Sequence, residues 1–369
     1  VETLTDMARE SGFDLVGIGP SDPGVDGHRF LDWIAKRRHG TMAWLERNAS
    51  RILDPEQLLP GARSALSLAV GYGRSRVELP GGGKLARYAA GRDYHKVLGR
   101  RLARLTTMLT KEGVPADSLR SGVDALPFLE RSLAWKAGIG FLAKSSGIIH
   151  PDRGPWLMLA EILTKSELPQ SAPSAGSCGT CTRCLEECPT VAIVAPHQLD
   201  SRNCLSYSTI EHRGPIPWDL RSKQGSWLFG CDVCIEVCPF QDRGGVKLED
   251  PDFRLHPLIE SYDLVGVLEL SSEEYASEWT GTALRRAGRA GLRRNAAIVM
   301  GNLGMHSAGP ALSAALADPD PGLRSAAAWA LARMGLERQA IHRAWEQEPD
   351  AEIRQDLGRS LESFGVRGS

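Results

Sequence analysis

All eight cysteines of this 369-residue chain fall between Cys178 and Cys238, and their spacing constrains its fold more than any other feature. Cys178, Cys181, Cys184 and Cys188, followed by Pro189, form the run C-x2-C-x2-C-x3-C-P. Soft thiolates at this spacing suit an iron–sulfur cubane: one loop wraps three corners, and the proline breaks the loop so that the fourth thiolate serves a second cluster. A second run, Cys231, Cys234 and Cys238 followed by Pro239, lacks one upstream cysteine, and Cys204 is the only one left. The arithmetic assigns one [4Fe–4S] cluster to Cys178, Cys181, Cys184 and Cys238, and the other to Cys188, Cys204, Cys231 and Cys234. Paired four-cysteine zinc sites would use as many thiolates, but zinc knuckles rarely show this run. A disulfide framework would be thin in so large a chain. Two clusters on one chain make a wire with an origin and a destination.

The residues around this centre are ordinary in bulk, 42% hydrophobic and 24% charged. A net charge of −1 removes any global basic bias as an argument for a nucleic-acid partner. No apolar run reaches the ~18 residues of a membrane span. The opening VETLTDMARESGFD carries neither a charged-then-apolar leader nor twin arginines, so the cytoplasm is the expected compartment.

Residues 1–165 read as an α/β domain, with strands at Phe13–Gly19, Ser64–Tyr72 and Pro155–Thr164 and helices at His28–Arg38 and Asp93–Lys111. Leu168–Gly176 (LPQSAPSAG) reads as a linker. Near the end, Leu292–Gly304, Leu323–Gly335 and Ile353–Gly365 align at intervals of about 30 residues, a HEAT-like signature of paired helices. The expected fold class is thus a multidomain mixture of α/β and α+β. It comprises an α/β domain at 1–165, a bacterial ferredoxin-type module with two [4Fe–4S] clusters at 166–245, a connecting segment at 246–282 and helical repeats at 283–369.

Several apparent motifs lack their context. Gly138–Ala143 fits G-x-G-x-x-A but follows a helix-like stretch instead of a strand. Asp93-Tyr94-His95 starts D-x-H-x-x-G, a cobalamin-ligand motif, but Leu98 stands where its glycine belongs. Asp124 remains, between a candidate strand and a helix expected to begin near Pro127; it is either a site residue or a helix cap. Basic residues cluster at Lys84–Arg104, including Arg100 and Arg101, and at Arg285–Arg294, which holds Arg285, Arg286, Arg289, Arg293 and Arg294. Such patches suit RNA phosphates, or else they are solvated helix faces and repeat scaffolding.

These stretches together resemble epoxyqueuosine reductases, cobalamin-dependent iron–sulfur enzymes of tRNA queuosine synthesis. The resemblance rests on the cysteine runs, Leu85–Leu102 (LARYAAGRDYHKVLGRRL), Val123–Arg131 (VDALPFLER), Asn203–Gly214 (NCLSYSTIEHRG) and Gly230–Pro239 (GCDVCIEVCP). It implies a base-off cobalamin that the clusters reduce, and a two-electron, two-proton conversion of an epoxide to an alkene with loss of water. The substrate would be tRNA carrying epoxyqueuosine at the wobble position. Asp124 would be the proton donor, with a pKa raised by burial beside the corrin. Cobalamin contacts would fall at Arg47, Arg87, Asp124, Ile148, Arg213, Asp232 and Val233. A flavodoxin- or ferredoxin-like donor of low potential and a monomeric state are also expected. The chain departs from the family where Ala125-Leu126-Pro127 replaces Thr-Gly-Pro, and where Gly140–Lys144 (GFLAK) replaces Gly-Trp-Ile-Gly-Lys. A reductive dehalogenase-like enzyme and an electron-transfer protein are the competing readings.

Overall fold

The computed structural model of the chain describes residues 2–22, 24–72, 76–124, 126–243 and 250–364. Gly365, expected to close the third repeat, and the expected boundary at 245/246 lie outside them. The chain divides into two compact units, one built from residues 1–74, 92–202 and 232–254, the other from 75–91, 203–231 and 255–369. These units cross the four consecutive segments read from the sequence. The physical reason lies in the second unit: strand Lys84–Leu85 pairs in parallel with Trp227–Phe229, and residues 203–231 are bonded to the first repeat helix.

In the first unit, β1 (Leu15–Pro20), β2 (Ser64–Gly71), β3 (Leu119–Gly122) and β4 (Leu157–Thr164) form one sheet in the order β1-β2-β4-β3. Every neighbouring pair is antiparallel, not the parallel arrangement that alternating strands and helices suggest. β2 is buried along its whole length, which is why it reads as an apolar run without alternation. Its Ser67 lies opposite Glu161 of β4 and donates a 2.6 Å hydrogen bond to that fully buried carboxyl. Helix α1 (Tyr94–Lys111) packs Val97, Leu98, Leu102, Leu105 and Leu109 inward, one stripe at helical spacing, against β3 and β4. Helix α2 (Glu130–Lys136) packs on β1, β2 and β4. It begins three residues later than the expected Pro127, because Leu126–Leu129 first curve along the wall of a cavity. Gly122 permits this curve, since a Cβ there would collide with Leu126.

In the second unit, helix α3 (Leu205–Ile210) packs on strand Trp227–Phe229, and the repeat helices α4 (Gly288–Leu303), α5 (Pro321–Met334) and α6 (Ala351–Glu362) stack in sequence. Asp320 and Asp350 cap α5 and α6 at the start, while Gly304 and Gly335 end α4 and α5 in the left-handed region. Gly301 lets α4 approach α5 closely; its Cβ would lie 2.8 Å from the Ala330 Cα. The aligned arginines tie each unit to the next: Arg293 meets Asp318 at 2.7 Å and Arg324 meets Glu348 at 2.7 Å.

Arg294 is 2% exposed and donates to the carbonyls of Ser208, His212 and Gly214 at 2.9, 3.1 and 2.6 Å. Asn295 beside it donates to Thr209 and Leu228 carbonyls at 2.8 and 2.9 Å. These bonds fasten residues 203–231 to α4. Burial pulls the Arg294 pKa down to about 9, and the carbonyl cradle repays part of that cost. Replacing Arg294 with Ala leaves three buried carbonyls unsatisfied and lowers the unfolding free energy by about 3 kcal/mol, read as a drop in Tm.

Candidate active site

Asp93 begins the site. Its carboxylate accepts the His95 N–H at 3.1 Å and so caps α1, which fixes Tyr94 and His95 in the first turn. Asp124 stands just past β3 with φ 50°, a left-handed conformation that costs a non-glycine residue on the order of 1 kcal/mol. That turn brings its carboxylate to the same place. Tyr94 Oη donates to Asp124 Oδ2 at 2.7 Å, and His95 Nε2 lies 3.5 Å from that oxygen. The other ring nitrogen, His95 Nδ1, is 2.9 Å from Asp93 Oδ1. The Asp124 amide donates to Glu130 Oε1 at 2.6 Å.

The electrostatics reverse one expectation. Asp124 is held below the usual carboxylate range: the His95 hydrogen bond lowers it, burial acts against this, and Tyr94 adds to the lowering. Its side chain is 58% exposed because it faces a cavity opening, while dense protein behind it supplies the opposing burial. The raised groups are its neighbours. Burial would lower the His95 pKa, but hydrogen bonds to Asp124 and Asp93 prevail and bring it to about 9. Glu130 is pushed up to about 8, first by burial and then by the Asp124 charge. With the residues present, the proton at neutral pH resides on His95 and Glu130, not on Asp124.

Asp124 and Glu130 line a cavity of about 380 Å³ whose wall is mostly apolar, with Phe30, Trp33, Trp44 and Phe128. The Trp44 Nε1–H is buried in this wall without an acceptor. Arg47 ends the same short helix, Ala43–Arg47, and is exposed. Ile148 is 6% exposed and packs with Ala69, Ala134, Ala137 and Ile139. Asp232 is 3% exposed and stands just before the short helix Val233–Glu236, whose Val233 is half-buried. In the second unit, Arg87 opens a turn at Arg87–Ala89, and Arg213 donates to the carbonyls of Ile210 and Arg286 at 2.8 and 2.7 Å.

Cys178, Cys181, Cys184 and Cys238 line a second cavity, joined by Cys234, over the apolar residues Ala143, Ile149 and Phe240. None of the eight cysteines is in a disulfide. Burial pushes the Cys184 and Cys238 thiols up, and nearby Cys178 and Cys181 push them further. The Lys144 N–H donates to Cys178 Sγ at 3.4 Å, and its ammonium holds the Gly179 and Cys181 carbonyls at 2.8 and 3.0 Å. The Cys188 sulfur accepts the Ala192 N–H at 3.3 Å. Cys204 precedes α3, and Cys231 follows Trp227–Phe229. Among the described residues no three His, Cys, Asp or Glu side chains converge on a single ion. A cubane brings its own volume, and its thiolates stand apart around it.

The basic patches are mostly structural. Arg294 is buried, and Arg289 and Arg293 are half-buried, bound to the Leu270 and Leu268 carbonyls at 2.7 and 2.6 Å. Arg101 is 11% exposed between Asp250 and Asp252, at 2.6 and 3.1 Å. These four spend guanidinium donors on internal acceptors, which leaves them fewer to offer an RNA phosphate than a solvated arginine has. Arg100, Arg285 and Arg286 stay exposed, Arg286 paired with Glu211 at 2.7 Å.

Sequence reasoning found Asp124 but set aside Tyr94 and His95 with a truncated motif, and it missed Glu130. The usable signal was Asp93 at a helix start, which places the next two residues in a first turn.

Residues 177–241 match the family profile "4Fe-4S double cluster binding domain", 53–125 match "Epoxyqueuosine reductase QueG, DUF1730", and 278–362 match "HEAT repeats". The chain is therefore an oxidoreductase with a double [4Fe–4S] module and helical repeats. It is 37% identical to the epoxyqueuosine reductase of Xanthomonas campestris pv. campestris, over 89% of this chain and 95% of that one. It belongs to the epoxyqueuosine reductase family. A crystal structure of an epoxyqueuosine reductase with an epoxyqueuosine-modified stem loop of tyrosine tRNA superposes with a TM-score of 0.87 at 29% identity, covering 99% of this chain and 98% of that one. The Bacillus subtilis enzyme, with a catalytic aspartate loop swung out of its active site, gives 0.85 at 29% identity over 98% of each chain.

Replacing Asp124 with Asn removes the charge that holds His95 protonated. The His95 imidazole, followed by NMR in the intact protein, then titrates below the present midpoint of about 9. In the wild type this raised pKa stabilises the fold fully below the ordinary value of 6.5, and the contribution fades as pH rises through about 9.

Proposed function

We propose that this chain reduces epoxyqueuosine in the anticodon loop of tRNA to queuosine. The single observation that carries this reading is the Asp124 carboxylate, held by Tyr94 and His95 at the mouth of a cavity, in a chain of this family. The balance is simple. Both carbon–oxygen bonds of the epoxide break, two electrons form the alkene, and the oxygen leaves as water with two protons.

The electrons are proposed to come from a flavodoxin- or ferredoxin-like donor through two [4Fe–4S] clusters, on Cys178, Cys181, Cys184 and Cys238 and on Cys188, Cys204, Cys231 and Cys234. Cys184 and Cys238 of the first set fit such a group, since thiols kept from ionising by burial and by neighbouring sulfurs are relieved by cationic iron. The mostly apolar wall of the Asp124 cavity and its Trp44 Nε1–H, which has no protein acceptor, suit the edge of a corrin and one of its amides. In the first unit, Arg47, Asp124, Ile148, Asp232 and Val233 are the residues proposed to contact cobalamin. When bound, it supplies cobalt of low potential next to the substrate.

The chain's own part is proton control. Asp124 touches the site and is refilled by the His95 imidazolium, which Asp93 orients from behind. No helix of the described residues is long and apolar enough to cross a membrane. A monomer in the cytoplasm is the proposed state.

The test is anaerobic turnover by protein carrying about eight irons, with cobalamin, a reductant and epoxyqueuosine-containing tRNA. Queuosine forms; no conversion with clusters and corrinoid intact overturns the reading. Asp124→Asn keeps the iron–sulfur and corrinoid absorption bands and loses turnover by about 100-fold or more. For the RNA, Arg100→Ala and Arg285→Ala each flatten the salt dependence of tRNA binding by about one unit of slope, whereas Arg289→Ala leaves that slope unchanged.

A further inference from the structure

The cavity holds a second carboxyl that the mechanism above does not use. Glu130 opens α2 and lines the same cavity as Asp124. Its Oε1 accepts the Asp124 amide at 2.6 Å, across the left-handed turn that presents the Asp124 carboxylate to Tyr94. A strained turn persists only where its surroundings over-determine it, and this hydrogen bond joins the turn to a helix packed on three strands of the sheet.

We propose that Glu130 is the positioning residue for Asp124: its carboxyl clamps the Asp124 amide and so holds the Asp124 carboxylate against Tyr94 and His95. This deepens the reading above and rests on it for the reaction, though not for the geometry. Ionisation of Glu130 strengthens its bond to the amide but sets a second negative charge beside the Asp124 carboxylate, and the repulsion opposes the clamp. Glu130 faces Asp124, Arg131 of its own helix, His95 of α1 and the buried Glu161 of β4. Burial and the Asp124 charge bring its pKa to about 8, so at neutral pH it is a neutral acid. Above that pH two carboxylates stand side by side, and their repulsion drives the Asp124 loop off its partners.

Two variants separate position from proton supply. Glu130→Gln keeps an acceptor for the Asp124 amide and cannot ionise. Its His95 midpoint stays near 9 by NMR, it turns over tRNA at neutral pH, and the alkaline limb of its rate profile moves from about 8 to about 9, where His95 loses its proton. Glu130→Ala removes the acceptor. Its His95 midpoint falls toward 6.5, and kcat drops at least tenfold with KM for tRNA unchanged.

A limb that stays at about 8 in Glu130→Gln overturns the proposal, as does Glu130→Ala with wild-type turnover and an unmoved His95. Loss of turnover in Glu130→Gln with His95 unmoved also overturns it, because Glu130 then supplies a proton and not a position. If Glu130→Ala does not fold, the limb and the His95 midpoint of Glu130→Gln decide. Should the wild-type protein leave tRNA unconverted, the functional reading falls, and the His95 titrations still judge the clamp.

Discussion

Sulfur crowding is the constraint on which the rest of this protein depends. Five cysteines line one small cavity, and there burial and the neighbouring sulfurs hinder Cys184 and Cys238 from losing a proton. Such a loop is stable as a set of thiolates only around positive charge. The protein anticipates that state with donors already aimed at sulfur, the Lys144 amide at Cys178 and the Ala192 amide at Cys188. Amides directed at cluster ligands raise a cluster's affinity for electrons, so these loops set potential as well as shape.

The acid–base end of the molecule follows the opposite logic. Charges are brought together with their complements: Asp93 behind His95, His95 against Asp124, Tyr94 on the same oxygen. The outcome is a carboxylate that is a weak proton holder beside an imidazole that is a strong one. A lone aspartate in an apolar pocket would hold its own proton, whereas this one is kept ionised by its neighbours. The distinction comes from the helix cap, since Asp93 both starts α1 and orients the imidazole.

Much of this was legible in the residues. The cysteine run, the repeat and the buried strands at 64–72 and 155–164 were readable because each is written in local spacing. The antiparallel sheet was not, because burial on both faces gives Ser64–Gly71 the same apolar run in either orientation. Nor were the arginines. Arg285–Arg294 reads as one basic patch, but helical geometry turns Arg294 into carbonyls of residues 208–214 and leaves Arg285 in water. Spacing along a chain does not say which face of a helix a neighbour will cover. The depressed Asp124 pKa was hidden for a similar reason: its partners lie 29 and 30 positions away and meet it only through the fold.

The alternation of the two units along the chain has a consequence for how the molecule comes into being. The backbone leaves and re-enters each unit, with handovers after residues 74, 91, 202, 231 and 254. Nascent chain emerging from a ribosome therefore cannot finish the sheet-bearing unit until residue 254 is made, and the other waits on its helical repeats. Assembly is governed by distant pairings, which makes it slow and favours chaperone protection.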